Sequence, residues 1–223
     1  MKPFLFAAAR PVLLTLALLP ALALLGALPA SAQDGNAALY DAVAPAGSAY
    51  IRVLNLAPGG AEMMVSGKSA AQKVGAGQLG NYLFITPGAH KVTVNQSSVE
   101  INLQPKTAMT LVYNGSGLVQ IADEYVEDTK KAQIAFYNLT DKPMALKTLD
   151  GKHAVVDGVA QNGTGTRMVN EVKIGFAAYA GEQNVAKFGE LFLKKGRSYS
   201  YVVIPEGSGY RAIGLMNGLD SIK

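Results

Sequence analysis

The 223-residue chain has no cysteine, no tryptophan and only two histidines. Without cysteine there are no disulfides, no thiolate metal sites, no cysteine nucleophile and no lipid-modified cysteine behind a leader. His90 and His153 are the only imidazole bases, too few and too separated for a transition-metal site. Charge is also scarce, with 16% of residues ionised, so the fold has to rest on apolar packing. The net charge of +4 includes Lys2 and Arg10, and the first acidic residue is Asp34, which leaves the chain from Gln33 onward near +2. Basic residues adjoin only at Lys130-Lys131 and Lys194-Lys195, without interleaved aromatics, so nucleic acid is excluded as a partner.

What is present begins with an export signal. Lys2 and Arg10 precede an apolar run from Val12 to Leu28, and "PASAQDG" supplies Ala30 and Ala32 as the small residues of a cleavage site. Residues 1–32 therefore read as a cleaved signal peptide. No later run is long and apolar enough to span a membrane, so the mature chain is expected to lack a transmembrane segment and to work outside the cytoplasm.

From Gln33 on, short runs of alternating polarity, rich in Val, Ile, Tyr and Thr, are separated by Gly, Asn or Pro turns. In "AYIRVLN" Ala49, Ile51 and Val53 share one face and Tyr50, Arg52 and Leu54 the other, the pattern of a half-buried strand. "TAMTLVYNGSGLVQI" reads as a hairpin turning at Asn114-Gly115, and Asp150-Gly151 as another turn. The chain also repeats itself. "SAYIRVLNL" resembles "KAQIAFYNL", Ile51 matching Ile134 at an offset of 83, and "INLQPKTAMTLVYNGSGLVQI" resembles "LFLKKGRSYSYVVIPEGSGYRAI", Leu103 matching Leu193 at an offset of 90. The growth in offset places extra residues in the second copy around 178–189. The expected fold is all-β, with two tandem antiparallel β-sandwiches at 33–122 and 131–223, joined by an acidic linker at 123–130.

Catalytic chemistry is hard to place. There is no G-x-S-x-G elbow and no Gly-Asp-Ser block with a downstream Asp-x-x-His, so the usual serine constellations are missing. His90 lies on the face of Val92 and Val94, and His153 follows a turn; both read as structural residues. The carboxylates Asp123, Glu124, Glu127 and Asp128 read as a solvated linker run, too loose for acid–base work. "GAGQLG" and "NGTGTR" open no helix and read as loops rather than phosphate cradles. No catalytic, cofactor-binding or metal-binding residue is expected. Tyr50, Tyr137 and Tyr179, if outward, offer a stacking surface for a sugar or a protein.

The signal peptide, the lead and strand "ALYDAVAPAGSAYIRVLN", the acidic segment and "NLTDKPMALKTLDGKHAVV" together resemble the AlgF family. The resemblance runs through the mature chain in order, and the C-terminal "GLMNGLDSIK" lies outside it. It implies a non-catalytic periplasmic accessory protein of exopolysaccharide O-acetylation, most simply of alginate, without cofactors. The implied partners are a membrane-bound O-acyltransferase and SGNH-like periplasmic acetyltransferases, with the chain as adaptor between them. Tyr40, Tyr50 and Arg52, in the lead and on the outward face of its strand, are the expected partner-binding residues. Two other readings stand beside this one: a module that binds the polysaccharide itself, and an enzyme using Ser48 or Ser66 with His90.

Overall fold

The computed structural model describes residues 43–126 and 128–220. The signal peptide, Tyr40, Glu127 and the last three residues lie outside them. Among the described residues there are strands and turns but no helix, as the alternating pattern requires, and hence no helix able to cross a membrane.

The first half lays down β1 (Ala49–Asn55), β2 (Ala61–Val65), β3 (Gln72–Val74), β4 (Tyr82–Ile85), β5 (Gly88–Val94), β6 (Ser97–Leu103), β7 (Ala108–Tyr113) and β8 (Leu118–Asp123). The second half follows with β9 (Ala132–Asn138), β10 (Met144–Thr148), β11 (Ala154–Val159), β12 (Gly163–Val169), β13 (Val172–Ile174), β14 (Phe176–Ala180), β15 (Gln183–Lys187), β16 (Leu191–Leu193), β17 (Ser198–Glu206), β18 (Gly209–Met216) and β19 (Leu219–Asp220).

The repeat is visible in the topology. The order β4-β1-β7-β8 of one sheet recurs as β12-β9-β17-β18, and β3-β2-β5-β6 recurs as β11-β10-β14-β15. Both copies place their first strand parallel to their penultimate one, pairing Ile51 with Met109 and Ile134 with Tyr199. Those pairs reproduce the offsets of 83 and 90 read from the sequence. The extra residues of the second copy fall in its long hairpin. In the first copy β5 and β6 run unbroken from Gly88–Leu103 to Val94–Ser97. In the second copy the same hairpin is split into β14–β15 at its turn and a separate β13–β16 ribbon at its open end, with Val172 opposite Leu193.

Three apolar layers hold the four larger sheets together. Ala49, Ile51, Val53 and Leu111 pack against Met63, Val65, Val92 and Val94 inside the first half. Ile134, Phe136 and Tyr201 pack against Leu146, Phe176 and Ala178 inside the second. A third layer lies between the halves, where Leu54, Val112 and Ile121 meet Ala135, Tyr137, Val202 and Ile204. β1 was expected to be half-buried, but all seven of its residues are buried, and so are those of its counterpart β9. The reason is that the face of β1 turned away from its own core is covered by the other half of the chain.

The seam uses the same face of both copies. Leu54 and Tyr137 are equivalent at the offset of 83, and Val112 and Val202 at the offset of 90. After β18 the chain crosses back to the first half, where β19 pairs in parallel with the edge of β4, Leu219 beside Tyr82 and Asp220 beside Leu83. Asp220 then accepts hydrogen bonds from Gln72 and Asn81 at 2.8 and 2.9 Å. The last strand thus belongs to the sheet of the first half and not to the second sandwich.

Candidate functional site: a buried arginine hub and an open groove

Arg52 is on the outer face of β1, and its partners come from both halves. Its Nε donates to Thr110 Oγ1 (2.9 Å) on β7, and its Nη1 donates to Asn217 Oδ1 (2.8 Å) just after β18. Nη2 lies 2.6 Å from the Tyr137 hydroxyl on β9, 3.0 Å from Ser200 Oγ on β17 and 3.3 Å from Asp123 Oδ2 at the end of β8. Two hydrogens serve three acceptors there, so the longest contact, to Asp123, is chiefly electrostatic. The guanidinium also stacks 4.0 Å from the centre of the Tyr82 ring.

Asp123 is satisfied separately. Its Oδ2 accepts from Thr110 Oγ1 (2.8 Å) and from the Tyr82 hydroxyl, and its Oδ1 from the Glu124 amide (2.8 Å). Ser200 donates to Asn217, and Asn217 donates to Ser198, which reaches Gln133. Burial by itself disfavours the charged arginine, but the oxygens of Tyr137, Tyr82 and Asp123 outweigh it, and the guanidinium pKa is shifted upward. Burial raises the pKa of Tyr82 and Tyr137, with Arg52 opposing it, so both stay neutral donors and acceptors.

The equivalence of the two faces extends into this hub. Thr110 and Ser200 are equivalent positions, and Asp123, opposite Ala108, corresponds to Asn217, which bonds Ser198. Where the first copy has Arg52, the second has Ala135 at the same offset, and both are buried.

These contacts correct several expectations. Arg52 has no exposed surface and Tyr50 is buried, so neither is available to a partner. The face that alternation assigned to solvent is the seam. Tyr50 packs on Tyr82 and Tyr125, ring centres 6.4 and 4.6 Å away, and beneath them sits the hub. Tyr137 and Tyr179 are buried as well, which removes the stacking surface. Asp123 is not part of a solvated linker; it ends β8 and is buried beside Arg52 because a charge inside the seam needs its counter-ion there.

The lead stays open. Ser48 bonds Pro45 through both its amide (3.1 Å) and its hydroxyl (2.8 Å), and Gly47 takes φ of 81°, where a side chain would be strained. Ala44 packs on the tyrosine cluster. Between this turn and the end of β4 runs a shallow groove of about 210 Å³, lined by Pro45, Ser48, Lys68, Phe84, Thr86 and Pro87. The Lys68 ammonium sits 5.2 Å from the Phe84 ring centre.

Next to the groove the structure brings together the Ser66 and His90 of the enzymatic reading. His90 Nε2 is 2.8 Å from the Thr86 carbonyl, and Nδ1 lies 3.4 Å from the Ser66 carbonyl and 3.5 Å from Ser66 Oγ. That hydroxyl oxygen accepts from the Lys91 amide at 3.1 Å. The pair is solvent-exposed, and the ring is oriented by a neutral carbonyl rather than a carboxylate, an arrangement that activates a hydroxyl weakly. Ser48 is not in this pair; its hydroxyl is spent on Pro45. His153 is exposed beyond the Asp150-Gly151 turn. Among the described residues no group of three or more His, Asp or Glu side chains is placed to hold a metal.

Comparison with known proteins gives a consistent picture. A family model described as "Alginate O-acetyl transferase AlgF" matches residues 22–200, so β18, Asn217 and β19 lie beyond the match. The chain is 34% identical over 179 residues to an alginate biosynthesis protein AlgF of Pseudomonas fluorescens, covering 80% of this chain and 82% of that one. It is 32% identical over 185 residues to the protein of that name from Pseudomonas aeruginosa, covering 82% and 85%. Among solved structures, the C-terminal domain of AlgF from P. aeruginosa aligns at 28% identity and a TM-score of 0.37, covering 40% of this chain and 99% of that domain.

Proposed function

The chain belongs to the AlgF family, and from that premise we propose that it is a periplasmic, non-catalytic adaptor for the O-acetylation of alginate. It holds a membrane-bound O-acyltransferase next to SGNH-like acetyltransferases, so that acetyl groups pass between enzymes kept at a fixed separation. The relatives are named for alginate biosynthesis, which sets the pathway.

The observation that carries the adaptor reading is the seam. A third apolar layer and a fully buried arginine, bonded to both halves, join the sandwiches into one body. A protein that works by positioning raises effective concentration only if its docking faces do not drift apart. With Tyr50 and Arg52 inside the body, the partner face moves to the exposed lead and the groove beside Phe84 and Lys68.

The test is genetic and biochemical together. Deleting the gene is expected to leave polymer synthesis intact while removing acetyl groups, and the purified chain is expected to capture the acyltransferase and the acetyltransferases. Capture of unacetylated polymer alone would favour the polysaccharide-binding reading. Acetyl-ester cleavage by purified protein that vanishes in Ser66→Ala and His90→Ala would overturn the adaptor reading altogether.

A further inference from the structure

The lysines that look scattered in the sequence are gathered by the fold. The β16–β17 turn carries Lys194, Lys195 and Arg197, closed by the Arg197 amide on the Lys194 carbonyl at 3.2 Å. The chain entering β9 runs alongside, with the Gly196 amide on the Lys131 carbonyl at 2.9 Å, so Lys130 and Lys131 join the same end. Lys173 comes from β13 through its pairing with Phe192. Among the described residues six cations thus meet three acids, Asp128, Glu171 and Glu190. Glu190 pairs with Lys173 at 2.9 Å, and Glu171 accepts from the Lys195 amide; Lys130, Lys131, Lys194 and Lys195 are exposed.

At the centre is Phe192. In "LFL" the two leucines turn inward, Leu193 fully buried, while Phe192 stands outside and is 47% exposed. Lys173 stands opposite it across the ribbon, and Lys194 Nζ sits 5.9 Å from the Phe192 ring centre. The platform is rigid: the Tyr199 hydroxyl donates to the Phe192 carbonyl and accepts from the Lys194 amide, each at 2.9 Å.

We infer that this end of the second sandwich docks on an anionic phospholipid surface, with Phe192 at headgroup depth and the lysines around it. Three features choose a membrane over other anionic partners. The cations are mostly lysines, which are depleted at protein–protein interfaces, where arginine is enriched. An exposed aromatic beside Lys194 and Lys173, at an end of the fold that also carries Lys130, Lys131 and Lys195, matches the pattern of peripheral binding to acidic lipid. The patch is carried by a turn and a ribbon end with its lysines exposed, an arrangement that suits a flat bilayer better than a polysaccharide chain, which needs a cleft or a stacking platform.

The inference goes beyond the adaptor reading and does not depend on it. The experiment uses the chain from Gln33, because the apolar run before it would bind lipid unaided. Co-sedimentation is measured with vesicles of equal parts phosphatidylglycerol and phosphatidylcholine, and with phosphatidylcholine alone. Binding is expected only to the acidic vesicles, and it should weaken by about fivefold for each of Lys130, Lys131, Lys194 and Lys195 changed to Gln. The absence of tryptophan makes Phe192→Trp a unique fluorophore, expected to shift to the blue with acidic vesicles. All five positions are exposed, so thermal melting should not change and misfolding is separable from lost binding. No sedimentation at low salt, or full binding by the fourfold lysine variant, would overturn the inference. An equal blue shift with soluble polymannuronate or polyaspartate would overturn it in favour of a polymer or an acidic protein.

Discussion

Replacing Arg52 by methionine tests the seam directly. The substitution keeps most of the side chain's length and removes its charge and all its donors. Asp123 then remains as a buried carboxylate without a counter-ion, although Tyr82, Thr110 and the Glu124 amide still donate to it. Breaking one side of a buried pair costs about 3 to 5 kcal/mol, and the three surviving donors put this case near 3 kcal/mol. For a body of this size that lowers the melting temperature by about 6 to 12 °C. Asp123→Asn should cost less, since the guanidinium keeps Thr110, Asn217, Tyr137 and Ser200 as acceptors. The double variant Arg52→Met/Asp123→Asn leaves no buried charge and should be more stable than the sum of the single losses predicts, by about 2 kcal/mol. Urea unfolding of all four proteins measures this cycle. Additivity within about 0.5 kcal/mol would refute the claim that the two charges are held by one another.

Three further outcomes follow from the same contacts. Tyr201 buries a hydroxyl without a hydrogen-bond partner between Phe176 and Phe188, so Tyr201→Phe should raise stability by about 1 kcal/mol in urea unfolding; a loss of that size would reveal a bond to that oxygen. The upward-shifted tyrosines Tyr82, Tyr137 and Tyr201 favour the neutral form in the folded chain. Their contribution is complete below the unfolded value of about 10 and is lost as pH climbs through the folded values, so absorbance at alkaline pH should show these three ionising only with unfolding. Ending the chain at Met216 removes β19 and Asn217, an acceptor for both Arg52 and Ser200, and should destabilise by about 2 to 4 kcal/mol; unchanged melting would show that the returning strand is ornamental.

The sequence made the strands, the hairpins and the repeat legible because these are local or periodic properties. Period-two alternation placed Ile51 and Val53 inward, and the offsets of 83 and 90 equated positions of the two copies, though neither said that the first and penultimate strands of each copy pair in parallel. What alternation cannot say is whether a second sheet covers the other face. Tyr50, Arg52 and Tyr137 look the same in sequence whether they meet solvent or another sandwich. One sign was available in the repeat itself: Arg52 and Ala135 are a large-for-small exchange at equivalent positions. Asp123 was read with its acidic neighbours, and only its distance from Arg52 separates it from them. The basic end was hidden for a similar reason, since Lys131 and Gly196 are joined by a bond between residues 65 positions apart in the chain.

The pairing of equivalent positions across the seam is what a two-fold homodimer shows, with each copy presenting the same patch to the other. Here both partners lie in one polypeptide, as though a dimer had been captured by joining its subunits end to end. A true dimer of the first copy would have to seat two Arg52–Asp123 pairs in one seam, without the neutral acceptors Tyr137, Ser200 and Asn217 that the second copy supplies here. In a single chain the two equivalent positions need not match, and here one is arginine and the other alanine. The first half holds Arg52 with its counter-ion Asp123 but takes Tyr137, Ser200 and Asn217 as acceptors from the second, so it depends on the rest of its own chain to cover that face.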